Sequence, residues 1–185
     1  LFIVTSCSNK EIICSIVKQY PIITPSKKQV VFIPLIKHNY IEDILYAAGQ
    51  NAITDIFFVT YDKSNEKNSL PYLKTLKVII TACEQSKQFF IPTIHQSILS
   101  VKSMIAYCKD NSMTLLFGDC DGMPIGRIQA NDTIAYTCGP EGGMTQEEIT
   151  LLKEYTMSKP ISLSAYTLRS CDALRKTIEY INTPL

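Results

Sequence analysis

The chain has little excess charge, little histidine and no long apolar run. Eighteen Lys and Arg meet 17 Asp and Glu over 185 residues, a formal net charge of +1. Domains that hold nucleic acid through bulk charge carry a marked basic excess, so any RNA contact has to come from a local patch or from sequence outside this chain. Only two histidines occur, His38 and His95, and none of the seven cysteines is spaced Cys-x-x-Cys. That excludes the common zinc patterns, and an odd cysteine count argues against a disulfide scaffold. Free thiols buried in a reducing cytoplasm are expected instead, with no metal. The apolar runs, such as 30–35 and 56–59, fall far short of the roughly 20 residues that a membrane span needs. No repeat or low-complexity tract is present. The first residue is Leu1, and 1–4 is too short for a secretory core, so the start reads as a truncation.

What is present is a core and an alternation. Hydrophobic residues make up 46% of the chain, enough to bury one domain of ordinary size. From residue 30 onward, strand-like and helix-like segments take turns. Residues 30–35 form a β-branched run, and Ile41, Ile44, Leu45 and Ala48 then follow the i, i+3, i+4, i+7 stripe of a helix. Residues 56–60, 91–94, 113–117, 133–138 and 161–163 read as strands. Leu73, Leu76, Ile80 and Cys83 make a second helical stripe, and Ile98, Val101, Ile105 and Cys108 a third. Thr145 with Glu148 three residues on is a capping box that opens another helix. Leu174, Ile178 and Ile181 line the last one, and this stripe predicts a cover, supplied by a second copy in a homodimer. Such alternation predicts an α/β fold with a mostly parallel sheet and helices on both faces. Ligands of these sheets sit beyond the carboxyl ends of the strands, so the loops after Phe117, Cys138 and Leu163 are where chemistry is expected. Residues 1–29 differ: 1–5 and 11–17 predict a hairpin, and Pro21 and Pro25 mark a linker.

The most informative stretch is Cys138-Gly139-Pro140-Glu141-Gly142-Gly143-Met144-Thr145, between a strand and a helix. Glycines let backbone approach a ligand closely, and a helix N-terminus offers free N–H groups. A phosphate loop ends in Gly-Lys-Ser/Thr, which is missing, and Glu141 repels an anion. A cationic or hydroxyl-rich ligand fits better. A tight turn with a good N-cap is the bland alternative.

Gly139-Pro140-Glu141-Gly142-Gly143, followed by Thr145 and Glu147-Glu148, resembles the signature of the ribosomal RNA small-subunit methyltransferase E family. Ala82-Cys83-Glu84-Gln85-Ser86 and Pro92-Thr93-Ile94 match two further motifs of that family, and 163–169 stands where it has a leucine-to-arginine loop. The resemblance runs in order over 30–181. It implies a knotted, SPOUT-type methyltransferase domain over 30–185, preceded in 1–29 by the end of a PUA-like β-barrel RNA-binding domain and a linker. It also implies S-adenosyl-L-methionine as cofactor, small-subunit rRNA or the assembled subunit as partner, a cytoplasmic homodimer, and methylation of uridine N3. Carried over residue by residue, the cofactor-binding positions are Leu116, Phe117, Gly118, Cys138, Gly139, Pro140, Glu141, Gly142, Gly143, Leu163, Ser164, Tyr166 and Leu168, and the catalytic one is Arg169. Asp172 is a candidate for removing the N3 proton. Lys27, Lys28, Lys63, Lys67, Lys74, Lys77 and Lys87 are candidates for an RNA-facing patch or a solvated surface. The sequence departs from the family at Gln50, Ala52, Gln88, Ser164, Cys171 and Asp172, changes expected to touch the cofactor loop and its support. They motivate an alternative, a catalytically inactive RNA-binding relative. A generic nucleotide-binding α/β protein is a third.

Overall fold

The computed structural model describes residues 2–8, 10–17, 25–65, 67, 70–127 and 133–182. Pro21 of the expected linker lies outside them. A hairpin comes first, β1 (Phe2–Cys7) antiparallel to β2 (Ile12–Ile16). The rest alternates: β3 (Lys28–Pro34), α1 (His38–Gln50), β4 (Asp55–Thr60), α2 (Tyr72–Ser86), β5 (Thr93–Ser100), α3 (Val101–Asp110), β6 (Thr114–Pro124), β7 (Thr133–Thr137), α4 (Gln146–Glu154), β8 (Ser158–Ser162) and α5 (Ser170–Asn182).

β3 to β8 form one six-stranded sheet in the order β5-β4-β3-β7-β6-β8, with every pairing parallel. Its inner strands β3, β4 and β7 and the first half of β6 are mostly buried because both faces are covered. Residues alternate between two clusters. Val31, Ile33, Ile56, Phe58, Leu116 and Tyr136 face the residues of α1, α2 and α5. Val30, Phe32, Phe57, Leu115 and Phe117 face those of α3 and α4. From β3 the chain builds outward through β4 and β5, then crosses to β6 and returns through β7. The strand order therefore reverses beside β3.

Several expectations change in detail. Ile98 belongs to β5, not to the third helical stripe, because β5 runs on to Ser100, whose side chain caps α3 by accepting from the Ser103 N–H. The second stripe is rotated. Leu73 is 77% exposed, and the buried face of α2 is Thr75, Ile79, Ala82 and Cys83. The cause is close packing of α2 on α1, where the Cys83 thiol donates to the Gly49 carbonyl (3.4 Å) and Ala82 leaves no room for a β-carbon on Gly49. Leu174 and Ile178 are fully buried and Ile181 packs beside them. That stripe is covered from within the chain by α1 and the sheet, so it no longer argues for a dimer. The C-terminal end of α5 is also tied down. The amides of Asn182 and Gln29 exchange hydrogen bonds (2.7 and 3.0 Å), and the Tyr136 hydroxyl donates to Gln29 (2.8 Å).

Candidate cofactor cavity

A cavity of about 490 Å³ opens beyond the carboxyl ends of β6, β7 and β8. Its walls are three segments: Gly118, Asp119 and Cys120 after the core of β6; Cys138 to Met144 except Gly142; and residues 161–170 except Ala165, from the end of β8 to the start of α5. The volume is in the range of small-molecule sites, roughly 300–1,000 Å³.

Each wall has a local cause. Leu116 and Phe117, both inaccessible to solvent, do not line the cavity; they anchor β6 in opposite cores so that Gly118 reaches the rim. The glycine loop turns through Gly143, whose φ of +73° is the left-handed conformation that glycine adopts without strain. The Gly143 N–H donates to the Pro140 carbonyl (2.8 Å). Gly142 does not line the cavity. Its missing β-carbon makes room for Lys63 on the β4–α2 connection, whose Cβ would lie 2.9 Å away. Gly142 is therefore placed against Lys63 and not on the cavity wall. Behind the loop the capping box is complete: Thr145 accepts from the Glu148 N–H (3.2 Å), and Glu148 accepts from the Thr145 N–H (2.8 Å). The other oxygen of the buried Glu148 accepts from the Asp62 N–H (2.8 Å), joining the glycine loop to the β4–α2 connection.

The third wall carries Leu163, Ser164, Tyr166, Leu168 and Arg169. Leu163 and Leu168 also pack on the core, whereas Tyr166 is 82% exposed at the rim. The Ser164 hydroxyl accepts from the Tyr166 N–H (3.2 Å) and so bends the loop. Arg169 is at the rim with its side chain 68% exposed. Its Nε lies 3.3 Å from the Asp172 carboxylate, and its guanidinium sits 5.8 Å from the centre of the Tyr40 ring. A hydrogen bond to Tyr40 and the charge of Asp172 both push its pKa up. Asp172 does not line the cavity. It is a partner of Arg169, so its placement does not support a role in deprotonating a substrate.

Sequence reasoning missed Asp119 and Cys120. They belong to an extension of β6 that resumes pairing with β8 at Met123 after a break at Gly118, and their polar composition hides it from a hydrophobic pattern. Burial pushes the Cys138 thiol well up, and Cys171 and Glu141 add to the effect. Cys138 is buried in the wall, and its thiol donates to the Ser170 carbonyl (3.3 Å). His38 and His95 lie elsewhere, His95 against Asp55 (2.9 Å) and stacked on Phe57. Glu84 and Gln85 are exposed, and Gln85 accepts from the Tyr46 hydroxyl. Two of the candidate lysines are engaged locally, Lys28 with Asn111 and Lys74 with Glu42. No metal-binding cluster occurs among the described residues, and none of their helices is long and apolar enough to cross a membrane.

Residues 24–182 match the family described as the RNA methyltransferase domain. The chain belongs to that family. Over 100 residues it is 34% identical to ribosomal RNA small subunit methyltransferase E of Rickettsia conorii, a match spanning 51% of this chain and 39% of the relative. The crystal structure of a ribosomal RNA small subunit methyltransferase E from Neisseria gonorrhoeae, bound to S-adenosyl methionine, superposes with a TM-score of 0.75 at 19% identity. That match covers 84% of this chain and 65% of the other. An AdoMet-bound rRNA methyltransferase from Sinorhizobium meliloti gives 0.55 at 14% identity, covering 88% and 59%. The family likeness read from the motifs therefore holds, and the parallel α/β sheet is that of these methyltransferases. The chain spans about two fifths to two thirds of the length of these relatives.

Proposed function

We propose that this chain is the catalytic domain of an S-adenosyl-L-methionine-dependent methyltransferase that modifies N3 of a uridine in small-subunit rRNA. The observation that carries the proposal is that two of the sequence motifs, the glycine loop from Gly139 and the 163–169 loop, form two walls of one cavity. That cavity lies at the strand ends where an open α/β sheet holds ligands. The walls suit the cofactor. Apolar side chains and glycine backbone fit an adenosine, and the carboxylates of Asp119 and Glu141 fit a ligand with positive charge. The cofactor supplies an electrophilic methyl group. The protein supplies position and electrostatics.

Uracil N3 must lose its proton before it attacks, and negative charge spreads over the ring as it does. Arg169 at the rim can exchange Asp172 for that developing anion or for a substrate phosphate. A guanidinium offers a rigid fork of donors for either. The family resemblance adds a knotted C-terminal segment, a homodimer whose partner completes the site, a barrel remnant and linker in 1–29, and a cytoplasmic location. Mass spectrometry of small-subunit rRNA from a strain lacking the full-length protein tests the proposal. Loss of one N3-methyluridine is expected. An unchanged modification map would favour the alternative, a relative that binds RNA without methylating it.

A further inference from the structure

The methyl donor proposed above and the product left after transfer differ by one charge. Transfer leaves the bonding electron pair on sulfur, so a positive sulfonium becomes a neutral thioether. The nitrogen that has given up its proton supplies the pair for the new bond. A cavity wall with a fixed negative charge therefore holds donor and product unequally.

Two carboxylates line this cavity, Asp119 and Glu141. Arg169 lines it too, but its guanidinium is engaged by Asp172 and Tyr40, neither of which belongs to the cavity wall. Asp119 is the deeper carboxylate, with its side chain 15% exposed, whereas Glu141 is exposed. Two contacts fix it: the Asp121 N–H donates to one oxygen (3.1 Å), and Lys153 in the last turn of α4 meets the other (3.3 Å). Beside it, Cys120 approaches Thr167 across the cavity (4.0 Å), so the wall that carries Asp119 closes against the β8–α5 loop. A half-buried charge acts through a lower effective dielectric than an exposed one and is less screened by salt.

We infer that Asp119 is a specificity-determining residue that makes the cavity prefer the cationic methyl donor to its uncharged product. Lys153 works against it, because it offsets part of the same charge from outside. The inference rests on the methyltransferase reading, and the test separates the two. Calorimetry on the full chain measures S-adenosylmethionine and S-adenosylhomocysteine against wild type, Asp119→Asn and Lys153→Met. Wild type is expected to bind the sulfonium more tightly. Asp119→Asn should weaken the sulfonium by about tenfold, the order expected from one nearby charge, and leave the thioether unchanged. That unchanged affinity also reports an intact fold. Lys153→Met should widen the preference. A loss of equal size for both ligands in Asp119→Asn, or a preference unchanged in both variants, would overturn the inference alone. Wild type binding neither ligand would overturn the cofactor reading and this inference with it.

Discussion

Arg169 meets Asp172 across an exposed i, i+3 pair at the start of α5. Pairs of this kind contribute little stability, so releasing the guanidinium from Asp172 costs little. Arg169→Ala in full-length protein is expected to lower the methylation rate about a hundredfold or more, as loss of one donor to developing charge does. Arg169→Lys keeps the charge without the fork and should retain part of the activity, and cofactor affinity should change less than rate in both. A wild-type rate for Arg169→Ala would make it a surface cation. Ala52 and Gln88, two departures from the family pattern, touch each other: the Ala52 N–H donates to the Gln88 side chain (3.1 Å). Ala52 is in the α1–β4 turn, Gln88 follows the end of α2, and the exposed Gln50 ends α1; none of the three lines the cavity. Ala52 has a φ of 55°, a conformation that costs an L-residue about 1–2 kcal/mol. Restoring the family's glycine with Ala52→Gly should therefore raise stability by about 0.5–1 kcal/mol, read as a higher thermal midpoint. A lower midpoint would show that the turn does not need the left-handed conformation.

The helices and strands were legible in the sequence where one periodicity dominated. The stripe Ile41, Ile44, Leu45 and Ala48 is buried as expected, and the capping box at Thr145 and Glu148 is present with both hydrogen bonds. α2 was misread at its N-terminal end because a small-residue contact, Gly49 on Ala82, decides its rotation more than its leucines do. β5 was misread because its edge position leaves it half polar. Asp119 was missed for a related reason, since the end of β6 follows neighbouring backbone and not a hydrophobic pattern. The glycine loop depends on α4 behind it. Thr145→Ala should cost about 1 kcal/mol of stability in denaturant unfolding, the usual loss for an N-cap, and should also weaken cofactor binding by loosening the loop. An unchanged denaturation midpoint would mean that the cap does not hold this helix start.

The whole molecule places its thiols in two groups. Cys83, Cys108, Cys138 and Cys171 are buried; Cys7, Cys14 and Cys120 are exposed. Burial pushes the Cys108 thiol from 9.0 to about 12, and burial raises Cys138 in the same direction. The folded state keeps these protons at pH values where the unfolded chain has released them. The contribution of Cys108 to stability is therefore complete below pH 9.0 and is lost as pH rises from there toward 12. The thermal midpoint should fall as pH is raised above 9.0, and the fall should be shallower in Cys108→Ala. An equal slope in wild type and variant would remove Cys108 from the account.

Cys120 is the one exposed thiol in the cavity wall. The most direct test of that wall is a crystal structure of the chain with S-adenosyl-L-methionine. Adenosine density is expected between Gly118–Cys120, the Cys138–Met144 loop and the Leu163–Arg169 loop. Density at any other place, or none at saturating cofactor, would contradict the assignment of this cavity.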